Sequence, residues 1–315
     1  MSFSAETKTE LCRATLSRSC CALAECYGVL LFCHTFHARE IRIITANPSF
    51  AARLPKLFRK AFSVSFDALP PENARGKRSF LITDSGKIRQ IFSAYSQEPG
   101  LALHVNFGAL ESECCRAAFL RGAFLAGGSI TDPDKRYHME FSTVHQSVSR
   151  EVQALFREMD FTPGESHRGG GCVLYFKQSD VISDLLTTIG APLAAMAIMQ
   201  AKVEKDMRNT VNRLVNCDSA NADKIVSAAQ EQLDAIRGMD LTALPETMQQ
   251  TAMLRIANPE SSIAELARLA SPPVSKSCMN HRLKKLLSYT QEEYAGESRT
   301  GVTRPGLSFY YLMGK

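Results

Sequence analysis

The stretch CCRAAFLRGAFLAGG, residues 114–128, decides the fold, because its pattern also occurs earlier in the chain. Four residues recur at a constant distance of 94 positions (114 − 20 = 94): Cys20, Cys21, Ala24 and Gly28 correspond to Cys114, Cys115, Ala118 and Gly122. The same distance separates Ser85 from Ser179 and Ile88 from Ile182. Two tandem copies of a unit this long usually form one pseudo-symmetric domain, in which the copies pack against each other.

Both copies have the same predicted order of elements. An apolar helix is followed by strands with alternating apolar residues, an amphipathic helix, a further strand and a short helix. The predicted helices cover residues 20–32, 50–62, 115–126 and 148–159, and the predicted strands cover 40–44, 79–83, 137–141 and 172–176. This αββαββα-like order indicates an α+β domain with its helices on one face of the sheet.

Beyond the repeat, residues 195–214 are predicted to form a helix with one apolar stripe. A methionine-rich stripe at helical spacing is typical of a buried face. Its members are Met196, Met199, Val203, Met207, Val211 and Leu214. The polar residues 216–221 predict a break, followed by a helix over residues 222–237 that Gly238 ends. Residues 216–240 are therefore interpreted as a linker with a connecting helix.

Residues 241–291 have the pattern of an all-α helix-turn-helix domain. Ser262 and Glu265 form a capping-box motif before a short helix, and Ser275 is the expected N-cap of the next helix, over residues 276–287. That helix is predicted to bury Met279, Leu283, Leu286 and Leu287 and to have a basic outer face. The candidate DNA-binding residues are Ser275, Lys276, Ser277, Asn280, His281, Arg282, Lys284 and Lys285. The Asn280 amide can pair with adenine, whereas the cations suit phosphates.

Composition narrows the possible functions. The 315 residues have a formal net charge of +5, a mild preference for polyanions, and no apolar run long enough to span a bilayer. The ten cysteines include no Cys-x-x-Cys pair. Because no signal-peptide pattern precedes them, we expect reduced thiols in the cytoplasm. The adjacent pairs at 20–21 and 114–115 are expected to be buried core residues, with a metal or redox role as the alternative. We expect no cofactor and no metal ion.

The quoted stretch also resembles a catalytic motif. Residues 120–128 are similar to the LAGLIDADG motif of homing endonucleases, and residues 26–34 resemble a weaker first copy. In that family the two motif helices pack side by side, and an acid near the end of each binds the divalent metal ion. The corresponding residues here are Gly127 and Cys33, which lack the oxygen ligands that hard cations require. The resemblance implies the fold without the nuclease activity.

Three motifs together resemble one family, WhiA. They lie at residues 114–133, 212–221 and 272–283, in the order that the family has. The family joins a degenerate LAGLIDADG domain to a helix-turn-helix and regulates sporulation and cell division in Gram-positive bacteria. The resemblance implies a LAGLIDADG-like domain over residues 1–215, with repeats at about 15–96 and 110–191, and a tail over residues 292–315.

The predicted function is therefore sequence-specific binding of double-stranded DNA by a non-enzymatic, nucleoid-associated regulator of transcription, in cell division, chromosome segregation or sporulation. The first domain is expected to be a scaffold, a surface for another transcription or division protein, or a second DNA contact, without membrane contact. The outward strand residues His138, Glu140 and Ser142 have mixed charge, which disfavours a sheet that grips DNA. The alternatives are a residual metal-dependent endonuclease and a protein-interaction module whose basic helix binds an acidic partner.

Overall fold

The computed structural model describes residues 2–71 and 76–300, with residues 290–300 described as backbone only. Most of the predicted tail, residues 301–315, lies outside the described residues. The chain divides into two units, Met1–Met207 and Arg208–Lys315. None of the described helices combines the length and the apolar character needed to cross a lipid bilayer.

The first unit contains two successive sets of helices and strands. The first set is α1 (Phe3–Leu11), α2 (Ser19–Phe32), β1 (Thr35–His37), β2 (Glu40–Thr45), α3 (Pro48–Phe62), β3 (Arg78–Ile82) and α4 (Ser85–Ala94). The second set is α5 (Glu113–Gly127), β4 (Gly128–Ile130), β5 (Met139–Thr143), α6 (Gln146–Glu158), β6 (Gly164–Arg168), β7 (Gly171–Phe176) and α7 (Ser179–Ile189). The described strands form two antiparallel sheets, ordered β1-β2-β3 and β4-β5-β7-β6. The predicted α+β class and the duplication of one structural unit are confirmed.

The sheets have the half-buried character that the sequence alternation predicts. On β2, Ile41 and Ile43 are buried and Arg42 between them is half-exposed. On β5, Met139 and Phe141 are fully buried in the same core. Because successive side chains of a strand point to opposite faces, the helices cover one face of each sheet, and the opposite face is only partly exposed.

The two apolar helices α2 and α5 meet at the pseudo-twofold axis of the first unit. A Cβ atom on Gly28 would lie 2.0 Å from the carbonyl oxygen of Phe119, and one on Gly122 would lie 2.0 Å from that of Glu25. Phe119 and Glu25 are themselves separated by the repeat distance (119 − 25 = 94). The contact is therefore reciprocal, and the backbones approach so closely that only glycine fits at either position.

A buried ionic cluster joins α2 to its neighbours. The Glu25 carboxylate is fully buried and accepts two hydrogen bonds from the Arg53 guanidinium, at 2.6 and 2.8 Å, and one from Arg121 at 3.0 Å. Arg53 also donates to the carbonyl oxygens of Cys12 and Ala14, at 3.0 and 2.7 Å. These bonds hold the segment before α2 against α3, since leaving any of these buried charged groups without a partner would be costly.

Helix α8 (Pro192–Arg237) is continuous, so the predicted break at residues 216–221 is wrong. The polar residues of this segment have helix propensities less than about 1 kcal/mol per residue below alanine, and the segment contains neither glycine nor proline. Such residues lower helix stability without ending a helix. The predicted end of the helix is confirmed, because α8 stops at Arg237, directly before Gly238.

The predicted burial of the apolar stripe on α8 is also wrong. All six side chains of the stripe are between 50 % and 65 % exposed, namely Met196, Met199, Val203, Met207, Val211 and Leu214. The helix instead packs into the core of the first unit through Ala194, Ala195 and Ile198. The helix has two apolar faces. The face with alanines can approach the core of the first unit more closely than the face with methionines. Periodicity does not distinguish the two faces, and the prediction chose the wrong one.

The cysteine pairs are less buried than predicted. Cys115 is buried, Cys21 and Cys114 are half-buried and Cys20 is exposed. All four lie in the first turns of α2 and α5. The prediction was wrong for Cys20 because the central helices bury their middles more completely than their N-terminal ends.

In the second unit, three helices follow α8: α9 (Glu246–Ala257), α10 (Ile263–Leu269) and α11 (Lys276–Thr300). Their small core consists of Ile236, Met248, Ala252, Leu266, Ala267, Met279, Leu283 and Leu286. Leu287, predicted to be buried, is half-buried. Helix α11 continues to Thr300, beyond both the predicted helix end and the predicted start of the tail.

Candidate nucleic-acid interface

The first helix of the helix-turn-helix begins at a capping box, as predicted. The Ser262 hydroxyl accepts from the Glu265 amide at 3.3 Å, and the Glu265 carboxylate accepts from the Ser262 amide at 2.7 Å. The hydrogen bond from the Ser262 amide lowers the pKa of Glu265. Two otherwise unsatisfied amides are bonded in this way, which fixes where α10 starts.

The turn between α10 and α11 is also held by hydrogen bonds. The Ser275 hydroxyl accepts from the amide of Cys278 at 3.1 Å, which confirms Ser275 as the N-cap of α11. The Val274 amide donates to the carbonyl oxygen of Ala267 at 2.9 Å. Val274 also packs on the core that contains Met279, so the angle at which α11 leaves the turn is fixed.

A buried arginine fixes the connection between α9 and α10. Arg255 is 1 % exposed and donates to the Gln232 amide oxygen at 3.0 Å and to the carbonyl oxygen of Ser261 at 2.6 Å. The sequence analysis did not predict a role for Arg255. Its spacing from the buried Met248 and Thr251 does indicate burial, because residue 255 falls on the same face of α9.

Helix α11 presents an outer face, formed by Ser277, His281 and Lys284, at the spacing of one helical face. All three residues are exposed, as are Ser275, Lys276 and Lys285. Asn280, predicted to point outward, is half-buried at the edge of this face. Arg282 is half-buried as well and lines a groove with Thr251 and Leu254 of α9. Seven of the eight candidate residues therefore lie in the first turns of α11 and Ser275 caps it; six are exposed and two, at the flanks of the outer face, are half-buried.

The outer face of α11 and its flanks have positively charged side chains and no acidic ones. Residues 276–289 include four cations, Lys276, Arg282, Lys284 and Lys285, and no aspartate or glutamate. Among the side chains that the structure describes, no carboxylate lies within ion-pair distance of any of the four. Unpaired cations on a helix held by a preceding helix and turn are suited to phosphate and base contacts.

The sheet surfaces of the first unit differ, because several of their cations lie next to carboxylates. Arg42 donates to both carboxylate oxygens of Glu40, at 2.8 and 3.0 Å. Glu140 lies 3.2 Å from the His138 ring nitrogen and 4.0 Å from the Arg168 guanidinium. His138, predicted to point outward, is 9 % exposed and stacks against the Tyr175 ring.

The helix ends that correspond to metal positions in homing endonucleases have no carboxylate. The Cys33 sulfur lies 3.1 and 3.2 Å from the carbonyl oxygens of Leu30 and Thr35, and its single proton can be donated to either of them. Burial raises the pKa of Cys33 to about 12. A Cβ atom on Gly127 would lie 2.4 Å from the carbonyl oxygen of Ser142. A carboxylate at residue 127 would therefore not fit this backbone, and the position cannot hold a hard cation as it stands.

Comparison with known proteins identifies two family models along the chain. Residues 116–208 match the WhiA LAGLIDADG-like domain, and residues 211–290 match the WhiA C-terminal HTH domain. A protein of Alkaliphilus metalliredigens, named "Probable cell division protein WhiA", is 33 % identical over 309 residues, which cover 91 % of this chain and 96 % of that protein. A protein of Desulforudis audaxviator with the same name is 37 % identical and covers 95 % of this chain and 100 % of that protein.

A solved structure has the same fold. Full-length DUF199/WhiA from Thermotoga maritima superimposes with a TM-score of 0.58 at 24 % sequence identity, over 93 % of this chain and 99 % of that chain. The match extends over the LAGLIDADG-like domain and the helix-turn-helix together.

Proposed function

This chain belongs to the WhiA family, and we propose that it is a sequence-specific DNA-binding protein that regulates transcription in cell division, chromosome segregation or sporulation. It acts on double-stranded DNA at the nucleoid, in the cytoplasm. The observation that supports this function best is the outer face of α11, which is basic, exposed and without a described carboxylate partner. The name of the relatives supports cell division as the process, and the basic helix supports the DNA contact.

We assign different tasks to the residues of α11. The outer face enters the major groove, where Ser277 and His281 reach base edges and Asn280 approaches from the edge of the face. The Lys and Arg side chains are long and charged, and they bind phosphates on both sides of the groove. The residues proposed to contact DNA are Ser275, Lys276, Ser277, Asn280, His281, Arg282, Lys284 and Lys285.

The first unit has a different role in this proposal. It cleaves no DNA, because Gly127 and Cys33 stand where the nuclease family has metal-binding acids. It also makes no strong DNA contact through its sheets, because Glu40 and Glu140 neutralise the neighbouring cations. Its role is to be a scaffold and a surface for another transcription or division protein.

Titration of single variants on two kinds of DNA tests this assignment. A genomic fragment protected by the protein in a footprint provides the specific duplex, and a scrambled duplex of equal length provides the random one. Asn280→Ala should cost about 1–3 kcal/mol of binding free energy on the specific duplex and little on the random one. Lys285→Ala should weaken binding to both and reduce the salt slope by about 1. Lys60→Ala, which removes an exposed cation from α3, is the matched control and should change neither.

Two results would contradict the proposal. If Asn280→Ala and Lys285→Ala lose affinity equally on both duplexes, α11 does not read bases as assigned. If neither variant changes DNA affinity, the basic helix binds something else, such as an acidic protein, and the DNA contact lies elsewhere on the chain.

A further inference from the structure

Four cysteines that are distant in sequence form one cluster in the first unit. Cys20 and Cys21 lie in the first turn of α2, and Cys114 and Cys115 lie in the first turn of α5. The four Sγ atoms all lie within 4.8 Å of one another. The cluster, which we call the four-cysteine site, therefore consists of one adjacent pair from each sequence repeat, brought together across the pseudo-twofold axis.

The spacing of the thiols fits one tetrahedral ion. A zinc ion with Zn–S bonds of about 2.3 Å holds four tetrahedral sulfurs about 3.8 Å apart, so the observed spacing needs only small side-chain adjustments. An iron–sulfur cluster would place iron and sulfide between the thiolates and hold them further apart. A disulfide would need two sulfurs at about 2.05 Å, and all four cysteines are free.

We propose that Cys20, Cys21, Cys114 and Cys115 bind one zinc ion in a closed, structural Cys₄ site. The site is separate from the DNA contact on α11 and does not depend on the proposed function. In binding, the four thiols release their protons to solvent, and the thiolates form four Zn–S bonds without any change of oxidation state. The ion links the N-terminal ends of α2 and α5, which are otherwise held together through their middles.

Positive charge from two helix N-termini and one arginine lies next to the four-cysteine site. Four thiolates around Zn²⁺ have a net charge of −2, and the N-termini of two helices supply partial positive charge next to it. Neither helix has a side-chain cap at its N-terminus in the described structure, so first-turn amides remain for hydrogen bonds to the thiolates. The Arg18 guanidinium also lies 3.7 Å from the Cys114 sulfur.

The spacing of the four cysteines in the sequence is unusual for a zinc site. Structural zinc sites usually contain two ligands separated by two or more residues, and this chain has no Cys-x-x-Cys pair. Here the repeat itself supplies the second pair of ligands. The proposal takes up the alternative of a metal role that the sequence left open for these cysteines.

Metal analysis of the full-length protein, purified anaerobically with a reductant, tests the proposal. We expect about one zinc ion per chain, and cobalt added to the zinc-free protein should give the intense visible bands of a tetrahedral thiolate site. Cys114→Ser should weaken zinc binding at least about tenfold, whereas the matched variant Cys217→Ser, at an exposed cysteine on α8, should bind as the wild type does.

The wild-type measurements decide the matter even if Cys114→Ser does not fold. Reduced wild-type protein that contains no zinc and gives no tetrahedral cobalt spectrum would overturn the proposal. An iron–sulfur absorption spectrum, or disulfides among the four cysteines under these anaerobic conditions, would overturn it as well. Equal loss of zinc in Cys114→Ser and Cys217→Ser would show that the metal binds elsewhere.

Discussion

The sheets of the first unit and helix α11 of the second unit differ in how their charged side chains are paired. In the first unit the acids Glu25, Glu40 and Glu140 each have a cationic neighbour, both in the core and on the sheet surfaces. In the second unit the cations of α11 have no described carboxylate partner. Paired charges serve packing and neutralise a surface, whereas unpaired cations on a firmly held helix remain available for a polyanion. This difference is one reason why we propose that the second unit makes the DNA contact.

The units also differ in how their helices pack. Helices α2 and α5 are in backbone contact through Gly28 and Gly122, which leaves no room for even a methyl group. The helix-turn-helix instead surrounds a small core of eight buried side chains, and its turns are fixed by Ser262, Ser275 and Arg255. Single substitutions should therefore affect stability most strongly in the first unit and DNA affinity most strongly in the second.

The largest expected effect is at the buried acid of the first unit. Glu25→Gln leaves the buried Arg53 and the half-buried Arg121 without a charged partner and should lower the free energy of unfolding by about 3–5 kcal/mol. Glu40→Gln is the matched control, since Glu40 also accepts two hydrogen bonds from an arginine but at the surface, and it should cost less than about 1 kcal/mol. Urea unfolding, with hydrogen exchange followed separately in α2 and α11, measures both. Similar losses for the two variants would refute the contrast between core and surface.

A smaller loss is expected at the helix contact. By helix propensity alone, Gly122→Ala would stabilise α5 by up to about 1 kcal/mol. The new Cβ atom would lie 2.0 Å from the carbonyl oxygen of Glu25, so we expect a net loss of about 3 kcal/mol instead. Gly238→Ala is the control, because its Cβ atom would lie 3.7 Å from the nearest heavy atom, and it should change stability by less than about 0.5 kcal/mol. The measurement is the thermal unfolding of both variants. A stabilising Gly122→Ala substitution would contradict the close backbone contact between α2 and α5.

Divalent metal ions are expected not to activate DNA cleavage by this protein. Magnesium or manganese should not make the protein cut supercoiled plasmid, because the helix ends at Gly127 and Cys33 offer no carboxylate. The measurement is a gel assay with protein purified free of nucleases. Cleavage that EDTA abolishes would mean that the first unit retains an enzymatic site elsewhere.

The parts of the fold that sequence reasoning predicted correctly rest on local or repeated signals. The repeat distance of 94 residues predicted the duplicated domain, and its glycines proved to be the points of closest contact. The capping box at Ser262 and the N-cap at Ser275 are hydrogen bonds between residues three positions apart, and the residue types at these positions predict them. Both kinds of signal depend little on the remainder of the chain.

The parts that it did not predict depend on tertiary packing. Nothing local distinguishes the buried face of α8, at Ile198, from the exposed stripe that includes Met207, because both are apolar at helical spacing. The partners of Glu25 come from α3 and α5, far away in sequence. The four-cysteine site likewise forms only when the two repeats are folded against each other.

The central claim is that DNA binds to α11 and not to the sheets, and the salt dependence of binding tests it most directly. Lys284→Gln/Lys285→Gln removes two cations from α11, and Arg42→Gln/Arg168→Gln removes two from the sheet surfaces. We predict that the first double variant reduces the slope of log binding constant against log salt concentration by about 2, and that the second leaves it unchanged. A reduced slope for the sheet variant, with an unchanged slope for the α11 variant, would contradict the account.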